Sequence, residues 1–151
     1  MKLQKILSNF QKLHPKEIDL SLDRIKNLCE KLGNPQNDIK CIQVCGTNGK
    51  GSTISFLHSI LKEAKIKCNV YTSPHVRSIN ERFIYNDEII NDDELAELLE
   101  EVEDINDGQP LTYFEALTAA FFYGCQKYKD NIVLAEFGLF GRGDAVNILN
   151  K

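Results

Sequence analysis

Residues 44–53, which read Val-Cys-Gly-Thr-Asn-Gly-Lys-Gly-Ser-Thr, decide the fold of this chain. They lie between an apolar run, 39–44, and a stretch with helical apolar spacing, 54–61. The order is therefore strand, glycine-rich loop and helix. In that arrangement the backbone N–H groups at the helix N-terminus can hold a phosphate, and the helix dipole assists them. We interpret residues 44–53 as a phosphate-binding loop.

The residue types in this loop suit a nucleotide, although its spacing is unusual. Lys50 supplies a compact, mobile positive charge, and the hydroxyl of Ser52 can bind phosphate or Mg²⁺. Only two residues separate Gly46 from Gly49, whereas the usual phosphate loop has four before its Gly-Lys pair, and here Gly51 follows the lysine. A flexible, solvated turn is the alternative interpretation. The strand before the loop and the helix after it favour the nucleotide site.

Composition restricts the possible partners. The net charge of −4 and the isoelectric point near 5.4 give no overall basic field that would favour nucleic acid. The five cysteines are odd in number and form no C-x-x-C pair, which is typical of a reduced protein without disulfides or zinc. No apolar run approaches the ~20 residues of a membrane span. We expect a cytoplasmic protein with neither nucleic-acid nor membrane partners.

The remaining apolar patterns predict an α/β fold, a mostly parallel sheet with flanking helices. Strands are predicted at 39–44, 67–71, 81–85, 88–90 and 131–135, and helices at 3–13, 19–32, 54–64, 92–104 and 112–128. Asn86-Asp87 reads as a hairpin turn, and Thr112 with Glu115 has the spacing of a capping box. The helix at 54–64 is expected to turn Ile54, Leu57, Ile60 and Leu61 inward.

Several polar residues are predicted to meet at one edge of this sheet. Ligands of such sheets bind at the carboxyl ends of the strands, where the glycine-rich loop and residues 72–75 emerge. Glu136 ends a buried strand at the same edge, and a carboxylate there can hold Mg²⁺ against phosphate oxygens. Ser73 is either a second oxygen ligand or a turn former. His75 contacts phosphate or substrate, or makes a structural hydrogen bond.

Two further side chains are less specific. Arg82 follows Glu81 in a predicted strand, so it either contacts substrate or forms a surface ion pair. His58 lies on the helix after the glycine-rich loop, and we expect no chemical role for it. Reasoning from the residues alone therefore reaches a domain that binds Mg²⁺ and a nucleotide.

Five blocks of sequence, in this order and spacing, resemble the folylpolyglutamate synthase/dihydrofolate synthase branch of the Mur ligases. They are 18–25 (Ile-Asp-Leu-Ser-Leu-Asp-Arg-Ile), 46–52 (Gly-Thr-Asn-Gly-Lys-Gly-Ser), 73–75 with 81–82 (Ser-Pro-His and Glu-Arg), 111–120 (Leu-Thr-Tyr-Phe-Glu-Ala-Leu-Thr-Ala-Ala) and 136–147 (Glu-Phe-Gly-Leu-Phe-Gly-Arg-Gly-Asp-Ala-Val-Asn). The resemblance implies a P-loop Mur-ligase ATPase domain. It also implies an ATP-dependent amide ligase, in which a pteroate or folate carboxylate becomes an acyl phosphate that L-glutamate attacks.

The resemblance also implies cofactors, substrates and residue roles. The cofactors are ATP and Mg²⁺, and the substrates are folate or dihydropteroate and L-glutamate. The implied contacts are to the triphosphate (Asn48, Gly49, Lys50, Gly51 and Ser52), to Mg²⁺ (Ser73 and Glu136) and to the pterin or folate (His14, Pro15, Arg82, Thr112, Tyr113, Phe114, Glu115, Arg142 and Asp144). Lys50 and Glu136 are the expected catalytic residues, because Lys50 and Mg²⁺ would offset the charge that shifts in phosphoryl transfer.

The chain departs from the family pattern in one block and in length. In the last block Phe137, Phe140, Gly143 and Val146 replace Val, Gly, Leu and Thr. A phenylalanine where a glycine lets the backbone approach a ligand could distort the site. Family members also have a longer central domain and a C-terminal domain. We therefore expect residues 1–151 to be the N-terminal part of the ATP-binding domain, without the C-terminal domain and not competent alone.

Other interpretations remain open at this point. The chain is either part of a folate ligase, a non-catalytic remnant that at most binds nucleotide, or a fragment of a cell-wall Mur ligase that shares the phosphate loop. An incomplete sheet would leave an exposed edge, through which we expect association.

Overall fold

The computed structural model describes residues 2–13, 21–138 and 144–149. The described helices are α1 (Lys2–Lys12), α2 (Asp23–Lys31), α3 (Lys50–Glu63), α4 (Asp92–Asn106) and α5 (Tyr113–Cys125). The strands are β1 (Cys41–Val44), β2 (Cys68–Tyr71), β3 (Phe83–Tyr85), β4 (Glu88–Ile89) and β5 (Ile132–Glu136), and short 3₁₀ turns form at Pro35–Asp38, Ile79–Arg82, Gln126–Tyr128 and Ala145–Ile148. Within these ranges, no helix is both long and apolar enough to cross a bilayer.

The strands form one sheet in the order β1-β5-β2-β3-β4. The central strand β5 runs parallel to both neighbours, with Val44 of β1 opposite Glu136 and Tyr71 of β2 opposite Ala135. Strand β3 is antiparallel to β2 and forms a hairpin with β4. The predicted α/β fold with flanking helices is confirmed. Its sheet is mixed, with three parallel strands followed by the predicted hairpin.

Both faces of the sheet are covered, but by unequal layers. Side chains alternate along β5, so Val133 and Ala135 pack into the larger core with α1, α2, α4 and α5, whereas Leu134 packs with α3. Helix α5 is central to the larger core and is buried nearly all round. Each fully buried large apolar side chain stabilises the fold by about 1.5–3 kcal/mol.

Two predictions of the apolar pattern need correction. The strand predicted at 81–85 begins only at Phe83, because Ser78 and Glu81 form a capping box that folds Ile79–Arg82 into a 3₁₀ turn. Ile60 does not face inward: it is 63% exposed, while Ile54 is buried. At 100° per residue, Ile60 lies well away from the inward line defined by Ile54 and Leu61.

Candidate functional site

The glycine-rich loop leads from the end of β1 into α3. Gly46 and Gly49 have φ angles of 154° and 78°, which favour glycine. A Cβ at Gly49 would meet no atom within 4 Å, so the backbone angle and not crowding calls for glycine there. Gly49 is the N-cap of α3, and the first N–H groups of the helix therefore lack helical partners. These donors can bind phosphate oxygens.

Lys50 is the first residue of α3 and lies against the loop. Its Nζ donates a hydrogen bond to the carbonyl oxygen of Gly46, 2.9 Å away. This partner is a neutral backbone group. No described carboxylate forms an ion pair with Lys50, so none neutralises its ammonium charge. The loop therefore combines free N–H groups with a cation, as a triphosphate requires.

Glu136 and Ser73, the predicted Mg²⁺ ligands, meet at the carboxyl edge of the sheet. Oε2 of Glu136 accepts the backbone N–H of Ser73 at 3.1 Å. Glu136 is the last residue of β5 and lies opposite Val44, the residue that leads into the glycine-rich loop. The register of the parallel strands thus brings together the loop, the carboxylate and the segment of Ser73.

The environment of Glu136 fits a divalent cation. Glu136 is only 6% exposed, yet no described lysine, arginine or histidine pairs with it, and its Oε1 accepts no hydrogen bond from a described residue. A nearly buried carboxylate is costly without a compensating cation. Because the described residues contain no cluster of three metal-binding side chains, Mg²⁺ here would complete its shell with phosphate oxygens and water.

Tyr71, at the end of β2, is the centre of a second group of side chains that we call the Tyr71 cluster: Tyr71, Arg82, Tyr113, Phe114, Thr118 and Asp144. Tyr71 is fully buried, its ring lies 6.2 Å from that of Phe114, and its hydroxyl hydrogen-bonds to Thr118 Oγ1 at 3.1 Å. Burial raises the pKa of Tyr71, while the nearby charge of Arg82 lowers it and that of Asp144 raises it. The cluster thus gathers four of the predicted pterin contacts.

The surface ion pair considered for Arg82 is wrong. Arg82 is only 9% exposed, and its Nε donates to Nδ1 of His75 at 2.9 Å. Glu81 instead accepts the backbone N–H groups of Val76, Arg77 and Ser78 at 2.9–3.1 Å. Burial lowers the pKa of His75, and the adjacent Arg82 charge lowers it further.

Thr112 and Glu115 hold the start of α5. They form the predicted capping box, in which Glu115 Oε2 accepts the Thr112 N–H at 2.8 Å and Thr112 Oγ1 accepts the Glu115 N–H at 3.2 Å. Arg24 of α2 also donates to both oxygens of Glu115, at 3.1 and 2.9 Å. Both capping residues are 3% exposed, so their side chains are engaged within the fold.

Tyr113 and Phe114, which lie between Thr112 and Glu115 in the sequence, are each half-buried. Phe114 packs on Gly138, where an added Cβ would come within 2.5 Å of the ring. Asp144 is 1% exposed, and its Oδ1 accepts the N–H of Val146. The predicted contacts His14, Pro15 and Arg142, and the substituted Phe140, lie outside the described residues.

Reasoning from the sequence assigned no role to three residues that matter in this geometry: Tyr71, Thr118 and Arg24. A signal existed for Tyr71, since it ends a buried strand directly before residues 72–75. No comparable signal existed for Thr118 or Arg24, because their partners are distant along the chain.

Known proteins resemble the chain in sequence. No protein-family model matches it. The dihydrofolate synthase/folylpolyglutamate synthase of Bacillus subtilis is 40% identical over 136 residues, which cover 85% of this chain and 31% of that protein. The protein of the same name from Haemophilus influenzae is 40% identical over 146 residues, or 96% of this chain and 33% of that protein. The chain thus spans about a third of the length of the curated relatives it matches.

Solved structures resemble it in fold. E. coli FolC in complex with DHPP and ADP has a TM-score of 0.89 at 35% identity, covering 97% of this chain and 36% of that one. The bifunctional folylpolyglutamate synthase/dihydrofolate synthase of Yersinia pestis, complexed with AMPPNP and Mn ion, has a TM-score of 0.89 at 33% identity, covering 99% and 36%. These likenesses extend over nearly the whole of this chain.

Proposed function

The chain is homologous to one part of the dihydrofolate synthase/folylpolyglutamate synthase enzymes, and on this premise we propose that it forms the nucleotide- and Mg²⁺-binding part of an ATP-dependent amide ligase. The proposed reaction joins the carboxylate of dihydropteroate or a folate to the amino group of L-glutamate through an acyl phosphate, with ATP as phosphoryl donor and ADP and phosphate as products. Such an enzyme would act in the cytoplasm, where ATP is available.

The observation that carries this proposal is the contact between Glu136 and Ser73 beside the glycine-rich loop. Glu136 offers one oxygen to the Ser73 N–H and keeps the other without a described donor. Its position opposite Val44 places this oxygen at the edge from which the loop emerges. A triphosphate held by the loop would therefore lie next to the carboxylate that can share its cation.

The proposed site has two roles, which are binding the phosphates and compensating their negative charge. The backbone N–H groups at residues 49–52 would donate to phosphate oxygens, and Lys50 would exchange its Gly46 carbonyl for a phosphate oxygen. Mg²⁺, when bound, supplies positive charge that reduces the repulsion between the triphosphate and a carboxylate substrate. In the Tyr71 cluster, Tyr113 and Phe114 have half-buried rings, and Arg82 and Asp144 are buried charges of opposite sign. This combination suits a flat heteroaromatic ring with polar edges.

The names of the relatives favour the folate branch over the cell-wall branch. The E. coli structure is described with DHPP and ADP, and the Yersinia pestis structure with AMPPNP and Mn ion. A pteroate, a nucleotide and a divalent cation are the ligands that we propose for this chain. If dihydropteroate competes for the substrate site and a nucleotide-linked cell-wall peptide does not, this result would support the assignment to the folate branch.

Thermal unfolding with Mg-ATP tests the nucleotide site. Saturating ligand at 100 times its Kd stabilises a protein by about 2.7 kcal/mol, so Mg-ATP should raise the Tm of the wild type clearly. Lys50→Ala should remove this increase, because the cation of the loop is lost. Lys62→Ala is the matched control, since Lys62 is an exposed lysine of the same helix and its variant should respond like the wild type. An equal response of both variants would contradict the site.

A turnover assay then separates the ligase from a non-catalytic nucleotide binder. Release of ADP that requires Mg²⁺, L-glutamate and dihydropteroate together would support the ligase. Mg-ATP binding without such turnover would instead support the interpretation as a nucleotide-binding remnant.

A further inference from the structure

Arg82 is a buried cation whose hydrogen-bonding capacity is only partly used. Its side chain is 9% exposed, and its Nε donates to His75 Nδ1. The two Nη groups make no hydrogen bond or ion pair with a described residue. Arginine carries five donors and stays charged when buried, so such a group is costly unless an acceptor completes it.

The contact with His75 determines the protonation of the imidazole. A guanidinium has no acceptor, so the hydrogen of the contact belongs to Arg82 and Nδ1 of His75 is unprotonated. The ring therefore carries its hydrogen on Nε2. Because the guanidinium is rigid and planar, a bond at Nε restricts the rotation of the whole plane. The paired Nη groups are then presented in one direction.

His75 is itself held at both sides along the chain. Two residues before it, the Ser73 N–H binds the Glu136 carboxylate at 3.1 Å. Immediately after it, the N–H groups of Val76 and Arg77 bind the Glu81 carboxylate at 2.9 and 3.0 Å. Glu81 belongs to the same 3₁₀ turn as Arg82. The acceptor and the donor are thus fixed relative to each other before any ligand binds.

The guanidinium charge is near enough to the Tyr71 cluster to favour the ionised form of two of its hydroxyls. Its charge acts on Tyr71, the buried residue at the end of β2, and on Tyr113, which is half-buried at the start of α5. Both tyrosines belong to the group proposed above to receive a pterin. Planar donors next to aromatic rings suit a flat ligand that has two acceptors on one edge.

We propose that His75 is a positioning residue for the pteroate substrate: by accepting the Nε–H of Arg82, it holds the guanidinium so that both Nη groups meet a planar acceptor edge of the ligand. The identity of the ligand rests on the proposed function. His75 acts through Arg82, and no contact between its imidazole and the ligand is required. The acceptor at the position of Nδ1 is the essential feature.

Titration of the full chain with 7,8-dihydropteroate tests this role. His75→Ala removes the acceptor and should weaken binding by about tenfold, the effect of losing one hydrogen bond to a charged group. His75→Asn should restore most of the affinity, because its amide oxygen can lie near the position of Nδ1. Val76→Ala is the matched control, as Val76 is the 89% exposed neighbour, and should bind like the wild type. Affinity for Mg-ATP should be unchanged in all three.

Three results would overturn the proposal where the wild type binds dihydropteroate. The first is wild-type affinity in His75→Ala. The second is an Asn variant that binds no better than the Ala variant. The third is a parallel loss of dihydropteroate and Mg-ATP affinity, which would indicate a merely structural role.

If the wild type binds Mg-ATP but no dihydropteroate, the proposed substrate fails and the positioning role is decided by ¹⁵N NMR of Arg82. A protected Nε–H signal that disappears in His75→Ala and returns in His75→Asn would support the role. A signal that is identical in the wild type and the Ala variant would overturn it.

Discussion

At the scale of single residues, the buried carboxylates Glu115 and Glu136 have opposite environments. Both oxygens of Glu115 accept hydrogen bonds, from Arg24 and from the Thr112 N–H. Among the described residues, only one oxygen of Glu136 receives a donor, although this residue is 6% exposed. A buried carboxylate with both oxygens paired is satisfied within the fold, whereas one with an oxygen that lacks a donor is suited to a ligand's cation. Residue type alone did not separate these two glutamates.

Replacing Glu136 by glutamine tests its role as a cation ligand. The amide oxygen can still accept the Ser73 N–H, so the free energy of unfolding without ligand should stay within about 1 kcal/mol of the wild type or rise, since a buried charge is removed. With ATP bound, Mg²⁺ should raise the Tm of the wild-type protein further, and this additional increase should disappear in the variant. A metal dependence equal to that of the wild type would exclude Glu136 as a ligand.

Gly138 is required by the ring of Phe114. An added Cβ would meet that ring at 2.5 Å, so Gly138→Ala must displace Phe114 and should lower the free energy of unfolding by about 1–3 kcal/mol. We also expect Gly138→Ala to weaken dihydropteroate binding, because Phe114 is displaced. Gly51→Ala serves as the stability control, because a Cβ there meets nothing within 4 Å. Equal urea midpoints for Gly138→Ala and wild type would contradict this packing argument.

At the scale of elements, features set by neighbouring residues could be predicted and those set by packing could not. The capping box at Thr112 and the hairpin turn at Asn86-Asp87 depend on local spacing, and both are present. The 3₁₀ turn at Ile79–Arg82 had the same kind of signal in Ser78 and Glu81, but the apolar residues after it suggested a longer strand. The burial of Arg82 follows from that turn and was therefore missed.

Helix α3 shows a different limit. Its apolar residues occur on more than one side, so periodicity could not decide which side faces the sheet. The prediction that Ile60 faces inward was therefore wrong, since Ile60 is exposed. His58, for which no chemical role was expected, defines the orientation: its Nε2 lies 3.0 Å from Oδ1 of Asp87 in the β3–β4 turn. The contact joins α3 to the hairpin.

Asp87 should make stability depend on pH. Burial raises the pKa of its carboxyl, but the hydrogen bonds with His58, Lys67 and the Cys68 N–H outweigh burial, and the pKa lies below its usual value. A lowered pKa in the folded state means that the contribution is complete above about pH 4, near the unfolded pKa, and is lost as the pH falls through the folded pKa.

Urea unfolding of wild type and Asp87→Asn measures this contribution. At pH 7 the variant should be less stable by about 1–3 kcal/mol, because His58, Lys67 and the Cys68 N–H lose a charged acceptor. The difference should shrink as the pH falls below about 4, because the carboxyl of the unfolded wild type takes up a proton there before that of the folded protein does. A difference that stays constant between pH 3 and pH 7 would rule out the carboxylate as its origin.

At the scale of the whole molecule, the layers on the two sides of the sheet are unequal. In the described part of the chain, α3 alone packs on one face of the sheet. Strand β1 is the edge strand at the end of the sheet opposite the hairpin. Ile42 of β1 is 41% exposed, and Phe56 and Ile60 of α3 are 70% and 63% exposed. At 100° per residue, Phe56 and Ile60 lie on the side of α3 opposite His58, which contacts the hairpin.

We propose that the expected association through a sheet edge uses β1, which ends the described sheet on the side opposite the hairpin. Within the described residues β1 pairs on one side only. Two copies would present the same open strand edge and the same apolar side chains, which favours a symmetric dimer. Light scattering after gel filtration should show a mass that rises with concentration, and Ile60→Glu should reduce it. Ile89→Glu is the control, since Ile89 is 58% exposed on β4 at the opposite edge. A constant monomer mass, or equal effects of both changes, would refute this assignment.

Strand order is the part of the architecture that local patterns could not supply. Parallel strands were predicted, but β5 lies between β1 and β2 because residues distant along the chain pair there. The consequence concerns biosynthesis. The two earlier strands have no common neighbour until residues 132–136 leave the ribosome, so the glycine-rich loop and Ser73 remain unconnected until then. The phosphate cradle and its carboxylate should arise together, in the same step of folding.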